Sequence, residues 1–408
     1  MSRTVQEESL ADLEFRLTWS STEAHHEERL HGPRANLWRD ILPPGMANAL
    51  FGRRPGEWVN LPFPPGTLAP AFDPDGQVPV RRHPFHGGRV PGNPVPRFGR
   101  FYPAGLAAEG LSARGFPAVL PEAMMPMRVI GVEDGWFTAD LNAPLAGVDL
   151  RLSAVAHAVA PLGRDMGGKV GDWPRRLITG PGMQARHRGR PTDFGGPEGY
   201  RRQDETPDTT FYASPRMTAH VDAACQGRAE ALYGEIVPRG GRVLDLMAGR
   251  HSHLPAGHAG SVTGVGLNPD EMRENPAIDD HAVHDLNADT RLPFDTGTFD
   301  TVLCSFSVEY LTAPATVLAE AVRVLGPGAP LVLTVSHRWF PPKVIRLWPE
   351  LHPFERLGAM LHWLLEAGGL EGLETRTVHG LPRPEDDRYF PDVPEADPLF
   401  AAWGYKAG

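Results

Sequence analysis

Residues 242–255 read Arg242-Val243-Leu244-Asp245-Leu246-Met247-Ala248-Gly249-Arg250-His251-Ser252-His253-Leu254-Pro255, and the fold of the second half of the chain turns on them. Val243 to Leu246 is a short apolar run entered from Gly240-Gly241, the pattern of a buried strand. Small residues then turn the chain, and Ser252 stands where a helix would begin. A strand running into a tight turn and a helix start brings backbone N–H groups to the carboxyl end of the strand. Doubly wound α/β sheets bind nucleotides there. A single glycine, Gly249, serves this turn. Met247, Arg250 and His251 take the remaining positions, where glycine would accept a positive φ and let a ligand approach closely.

Working outward, Val262 to Val265 is a second strand, about 20 residues past the first, the interval a nucleotide-binding unit requires. His281 to Asn287 reads as a third strand, and the run Leu292 to Ser305 leads into a fourth at Val302 to Phe306. Pro314 to Leu325 is an amphipathic helix with Leu318, Ala321, Val322 and Leu325 on one face. Arg323 to Pro330 turns into a fifth strand, Leu331 to Val335. Leu357, Met360, Leu361, Leu364 and Leu365 mark another helix, and Leu373–Val378 and Leu399–Tyr405 a closing antiparallel pair. Upstream, a helix passes through Val221, Ala224, Cys225 and Ala229.

These runs resemble the class I methyltransferases, whose first motif has the form V-L-D-L-G-C-G-x-G. Asp245-Leu246-Met247 and Ser252-His253-Leu254-Pro255 are similar to a subgroup with D-L-M-x-S-x-x-S-H-L-P at that place. Leu292 to Val302 resembles the family's L-P-F-x-D-x-S-F-D-x-V run, and Arg323 to Gly328 its R-V-L-x-P-G-G turn. The resemblance implies a Rossmann-like α/β domain with a seven-stranded mixed sheet over residues 206–408, and S-adenosyl-L-methionine as cofactor. It also implies a cofactor-binding set of Asp245, Met247, Gly249, His253, Asn268, Asp285, Leu286 and Ser305. Asp285 would accept the adenine amino hydrogen, with Leu286 against the ring, and His251 and His253 could reach the methionine carboxylate. The family's ribose-binding carboxylate falls at Gly266, so Asn268 is the substitute. An acceptor would lie over the ends of the fourth and fifth strands, at Ser307-Val308-Glu309-Tyr310 and Ser336-His337-Arg338-Trp339-Phe340. Glu309 or His337 could serve as base, while Tyr310, Arg338 and Trp339 could orient the acceptor. Packing for Tyr310 and Trp339, and a surface ion pair for Arg338, are the competing roles.

The first half is richer in proline and glycine. Leu13 to Trp19 alternates as a strand. Pro43-Pro44-Gly45 opens a short helix, Gly52 ends it, and Pro55-Gly56 turns into a strand at Glu57 to Leu61. This arrangement resembles the I-P-G-L-E-x-A-L-x-G-M-x-x-G-E signature of FKBP-type prolyl isomerases. Asp140 to Leu150 resembles the D-x-N-H-P-L-A-G-x-x-L segment of their SlyD-like branch. The resemblance implies a β-rich α+β domain over residues 11–160, with the branch's chaperone insert at about 62–127. Ala143 stands where the branch has histidine, and the segment that should supply pocket residues is unrecognisable between Ser20 and Arg34. A recruiting or structural module is therefore favoured over an active isomerase. Residues 161–205 form a connector that reads either as a featureless linker, from its turn residues and weak periodicity, or as a segment packed in order through Met183, Phe194 and Tyr200.

A net charge of −10 over 408 residues, with scattered arginines, argues against nucleic acid or an anionic membrane as partner. Cys225 and Cys304 alone exclude a disulfide scaffold. No signal-peptide or membrane-spanning run is present, which suggests a cytoplasmic protein. His25, His26, His83 and His86 lack metal-ligand spacing, and the H-x-H at His251 and His253 has no cysteine cluster, so no metal is expected. The leading expectation is methyl transfer to a small-molecule acceptor. The alternatives are a peptide acceptor presented by the first half, or a chaperone-like binding protein whose methyltransferase fold is a relic.

Overall fold

A computed structural model gives the chain over residues 4–163, 167–180, 186–217, 219–353 and 355–408; Met183 lies outside these described residues. Two compact units divide it. The first comprises residues 1–194, 350–355 and 376–382, and the second residues 195–349, 356–375 and 383–408.

The first unit contains β1 (Ser9–Ser20), β2 (His25–Asn36), β3 (Val59–Phe63), β4 (Gln77–Arg81), β5 (Phe101–Pro103), β6 (Pro126–Glu133), β7 (Trp136–Asp140) and β8 (Leu150–Pro161). Antiparallel pairing sets the orders β2-β1-β8-β3 and β4-β7-β6-β5. Alternation along β1 sends Leu13, Phe15 and Leu17 into a core shared with Met46 and Leu50 of α1 (Met46–Leu50) and with Trp173. The sheet β4-β7-β6-β5 has a core of its own, including Val80, Tyr102, Met127 and Phe137. Arg100, fully buried, is held by Glu355 at 2.9 Å, and buried Glu28 meets His379 at 3.0 Å.

In the second unit, α2 (Ala223–Ile236) precedes β9 (Arg242–Leu246), β10 (Ser261–Gly266), α3 (Pro269–Arg273), β11 (Asp280–Val283), β12 (Thr301–Ser305), α4 (Pro314–Val324), β13 (Pro330–Val335), β14 (Leu370–His379, of which residues 376–379 are assigned to the first unit) and β15 (Leu399–Lys406). The strands run β11-β10-β9-β12-β13-β15-β14. Neighbours from β11 to β13 are parallel, and β15 is antiparallel to β13. Every residue of β13 is buried, as a strand covered on both faces must be, which is why it reads as an apolar run broken only by Thr334, whose hydroxyl is paired with that of Tyr233. Pro314 starts α4 without sacrificing a hydrogen bond, and Val317, Leu318, Ala321 and Val322 form its buried face.

Two expectations change. The third strand ends at Val283, so Asp285 and Leu286 sit in the turn beyond it. No helix begins at Ser252, because His253 takes φ 55° and Gly257 φ 65°, left-handed values that no right-handed helix contains.

Candidate active site

The strand order reverses between β9 and β12, and ligands of such sheets bind outside the carboxyl ends at that crevice. A cavity lies there. It encloses about 790 Å3 of empty space, part of it open to solvent. Its walls include Met247, Ala248 and Gly249 after β9, Asp285, Leu286 and Asn287 after β11, and Phe306, Ser307 and Tyr310 after β12. A smaller adjoining cavity is lined by Asp245, His251, His253 and Ser305, and it shares Met247, Gly249, Arg216 and His220 with the first.

The turn after β9 is stitched to β10 by the Ala248 N–H, which donates to the Val265 carbonyl at 2.8 Å. Met247 adopts φ 56°, the conformation glycine would have taken without steric cost. The close approach explains Gly266. A Cβ there would stand 2.3 Å from the Ala248 carbonyl oxygen, so no carboxylate-bearing residue fits that position. Asn268 lines the cavity, but its amide is committed: Oδ1 accepts the Asp270 and Glu271 N–H groups, and Nδ2 donates to the Tyr212 and Ala213 carbonyls. The asparagine caps α3 and ties the covering segment down.

A carboxylate that the sequence reading passed over takes its place on the wall. Glu271 of α3 lines the cavity, accepts the Arg216 N–H at 2.6 Å, and is raised in pKa by burial against the pull of Arg216. Its only sequence signal is the N-x-x-E spacing from Asn268, which also reads as an ordinary helix cap.

Asp245 is almost fully buried, and its Oδ2 has no hydrogen-bond partner among the described residues. Burial lifts its pKa to about 7, opposed by a hydrogen bond from Ser252. Ser305 is fixed by the Tyr233 hydroxyl at 2.7 Å. His253 packs edge-on to Phe306, with ring centroids 5.1 Å apart, and burial, then His251 and His220, lower its pKa to about 4. Asp285 Oδ1 accepts the Asn287 N–H at 2.9 Å, which holds the carboxylate in the wall.

On the other side of the cavity, the Arg216 guanidinium lies over Phe211 and Phe340, 4.4 and 4.6 Å from their ring centroids. Asp208 in the same wall is bound by Arg202 at 2.6 Å and Lys343 at 3.1 Å. Burial pushes its pKa up, but the bonds from Arg202 and Asn287 outweigh it and keep it low. The Tyr310 hydroxyl accepts the Phe340 N–H at 2.8 Å.

The remaining residues expected over the strand ends lie elsewhere. Glu309 is fully buried outside the cavity wall, with both carboxylate oxygens lacking a hydrogen-bond partner among the described residues. Burial raises its pKa to about 8, opposed by Arg356, so it is protonated at neutral pH. Arg338 binds Asp397 at 2.9 Å, and His337 stands 3.7 Å from the same carboxylate. Both belong to a network with Arg383 and Asp222. Trp339 receives the Arg356 guanidinium on its ring at 4.6 Å.

Residues 244–333 match the family model of a methyltransferase domain. That match lies within the second unit. Norajmaline N-methyltransferase of Rauvolfia serpentina is 27% identical over 118 residues, covering 26% of this chain; the chain spans 40% of that relative's length. Among solved structures, an S-adenosylmethionine-dependent methyltransferase of Aquifex aeolicus aligns with a TM-score of 0.31 at 16% identity, over 49% of this chain and 97% of its own. One from Mesorhizobium loti gives 0.30 at 17%, over 44% and 99%. The match to a methyltransferase domain implies S-adenosyl-L-methionine as cofactor. The donor set fits it: a buried, unpartnered carboxylate oxygen at Asp245 suits an ammonium, and an acidic turn at Asp285 beside apolar Leu286 suits a purine.

Proposed function

We propose that the chain is an S-adenosyl-L-methionine-dependent methyltransferase acting on a small-molecule acceptor, with residues 206–408 as the catalytic domain. The observation that carries this reading is the cavity at the strand-order reversal, walled at once by Met247–Gly249 and Asp285–Leu286. The bound cofactor supplies an activated methyl group and its own leaving group. Asp245 would hold the methionine ammonium, with Ser305 and His253 beside it, and Asp285 the adenine amino group. Glu271, rather than Asn268, would meet the ribose hydroxyls, through the carboxylate oxygen that the Arg216 N–H does not occupy. The acceptor would enter between Tyr310, Phe340 and Arg216.

His220 replaces Glu309 and His337 as the group to take the acceptor's proton. It lines both cavities and lies edge-on to Phe340. Desolvation, then His251 and Arg216, keep its pKa below the usual imidazole range, so it is neutral and able to accept a proton at pH 7. The relative named for N-methylation of norajmaline supports an acceptor of comparable kind.

The β-rich first unit, with a second sheet and core inserted between β3 and β8, suits the FKBP/SlyD-like recruiting or structural module read from the sequence. Two free, buried cysteines, and no described helix long and apolar enough to cross a membrane, accord with a cytoplasmic site of action.

Calorimetric titration of the chain with S-adenosylmethionine and its demethylated product, beside Asp285→Ala, tests the reading. Micromolar binding weakened roughly tenfold or more by the substitution is expected, the loss of one charge-assisted hydrogen bond. No binding of either ligand would sink it. Labelled methyl appearing in protein rather than metabolites would move the acceptor to a peptide.

A further inference from the structure

Away from that cavity, the outer face of the β2-β1-β8 sheet gathers three metal-ligating side chains from distant parts of the sequence. Glu14 lies at the middle of β1, on the face opposite Leu13 and Phe15, and directly across from His31 of β2. On its other side the β1–β8 pairing slips: Asp12 faces Ala158 and Leu13 faces Ala156, so His157 is the extra residue of a β-bulge. Bulges re-aim a side chain at sites that need it. This one delivers His157 Nε2 to 2.8 Å from Glu14 Oε2.

One ligand atom from each of Glu14, His31 and His157 lies within 4.8 Å of the other two, and among the described residues no other three histidine, cysteine or carboxylate groups converge in this way. We propose that Glu14, His31 and His157 form a binding site for a divalent transition ion of the zinc class.

Two imidazoles and a carboxylate are the donor set that such ions take, whereas Mg2+ and Ca2+ want oxygen alone. The outer contacts suit the role. Arg16 Nε binds Glu14 Oε1 at 2.7 Å, fixing the carboxylate and leaving Oε2 for the ion, as supporting groups do around metal ligands. Arg29 and Arg376 share a different carboxylate, Glu27, each at 2.7 Å. Burial favours the neutral acid at Glu14, but its bonds from Arg16 and His157 prevail and hold it ionised. Glu14 and His31 are buried while the His157 side chain is 51% exposed, so an ion could enter from solvent and keep a coordination position open.

The test uses the full chain, free of any histidine tag, stripped with chelator and titrated with Zn2+. One Zn2+ per chain is expected, with no uptake of Mg2+. His157→Ala should weaken Zn2+ by more than the roughly 10–100-fold that losing an outer-contact partner costs. Loss of the His157 bond to buried Glu14 should lower the melting temperature in chelator, so the decisive readout is the Zn2+-dependent rise above each chain's own value in chelator, expected in the parent chain alone. Zn2+ retained by His157→Ala, or lost instead in His253→Ala, would overturn the site, as would no binding to the parent chain.

Discussion

Met247 shows how far the site departs from an unstrained backbone. Of the six non-glycine residues at positive φ among those described, Met247, His253 and Phe306 all line the two cavities. Such conformations cost on the order of 1–2 kcal/mol each and concentrate where function holds them. Met247→Gly should therefore leave urea stability nearly unchanged, since relief of strain offsets the roughly 0.5–1 kcal/mol of added unfolded-state entropy. Gly266→Asp, which restores the family's carboxylate, should instead lose about 1–3 kcal/mol of stability and bind S-adenosylmethionine more weakly, because its Cβ meets the Ala248 carbonyl. Tighter binding by that variant would refute the packing account of Gly266.

Asp245 and Glu309 make the apo chain sensitive to pH in a definite direction. Their folded pKa values, about 7 and about 8, lie above the ordinary 3.8 and 4.5. The folded state thus keeps protons that the unfolded chain gives up, and stability should fall as pH rises from about 4 to 8, by at most about 1.4 kcal/mol per pH unit for each group. Glu309→Gln should flatten that slope, gaining stability at pH 8 over the parent chain and little at pH 4, as chemical denaturation across that range would show. A cofactor ammonium on Asp245 favours its ionised form. Binding near pH 6 should then release a proton, seen as a calorimetric enthalpy that varies with the buffer.

At the scale of elements, the fate of the two strand ends is instructive. The short turn Val308–Tyr310 shows its tyrosine to the cavity, which sends the neighbouring Glu309 into the core. After β13, His337 and Arg338 join the ion network at the start of α2, where Asp222 caps the helix through the Cys225 N–H. Arg383 lies between Asp222 and Asp397, all three almost fully buried. Arg383→Ala should cost about 3–5 kcal/mol, the price of leaving buried charge unpaired, whereas methyl transfer by the protein that remains folded should be unaltered; a thermal melt paired with a turnover assay separates the two. Strands β9, β12 and β13 were legible because burial on both faces writes a largely apolar run. The direction of each side chain past a strand end was not, because it is set by a one-residue turn whose partners come from elsewhere in the chain. Glu271 escaped notice for the same reason: its spacing from Asn268 marks a helix cap, and only the folded backbone turns that carboxylate toward the cavity. The bulge at His157 is likewise written in the pairing of two strands, not in either one alone.

At the scale of the whole molecule, the first unit is not contiguous in sequence, since residues 350–355 and 376–382 belong to it. A fragment ending at residue 194 would lack Glu355, leaving Arg100 buried without its carboxylate, and would lack His379 beside Glu28. Such a fragment should be insoluble or loosely packed by circular dichroism and dye binding, and a cooperatively unfolding fragment would show that these late residues are dispensable. The same feature sets a schedule on the ribosome. The segments that complete the first unit emerge roughly 190 residues after residue 194, on the order of 10–40 s later at ordinary synthesis rates. Through that interval the nascent first half waits with Arg100 and Glu28 unmatched, so its need for a chaperone should be set by translation speed rather than by the stability of the finished protein.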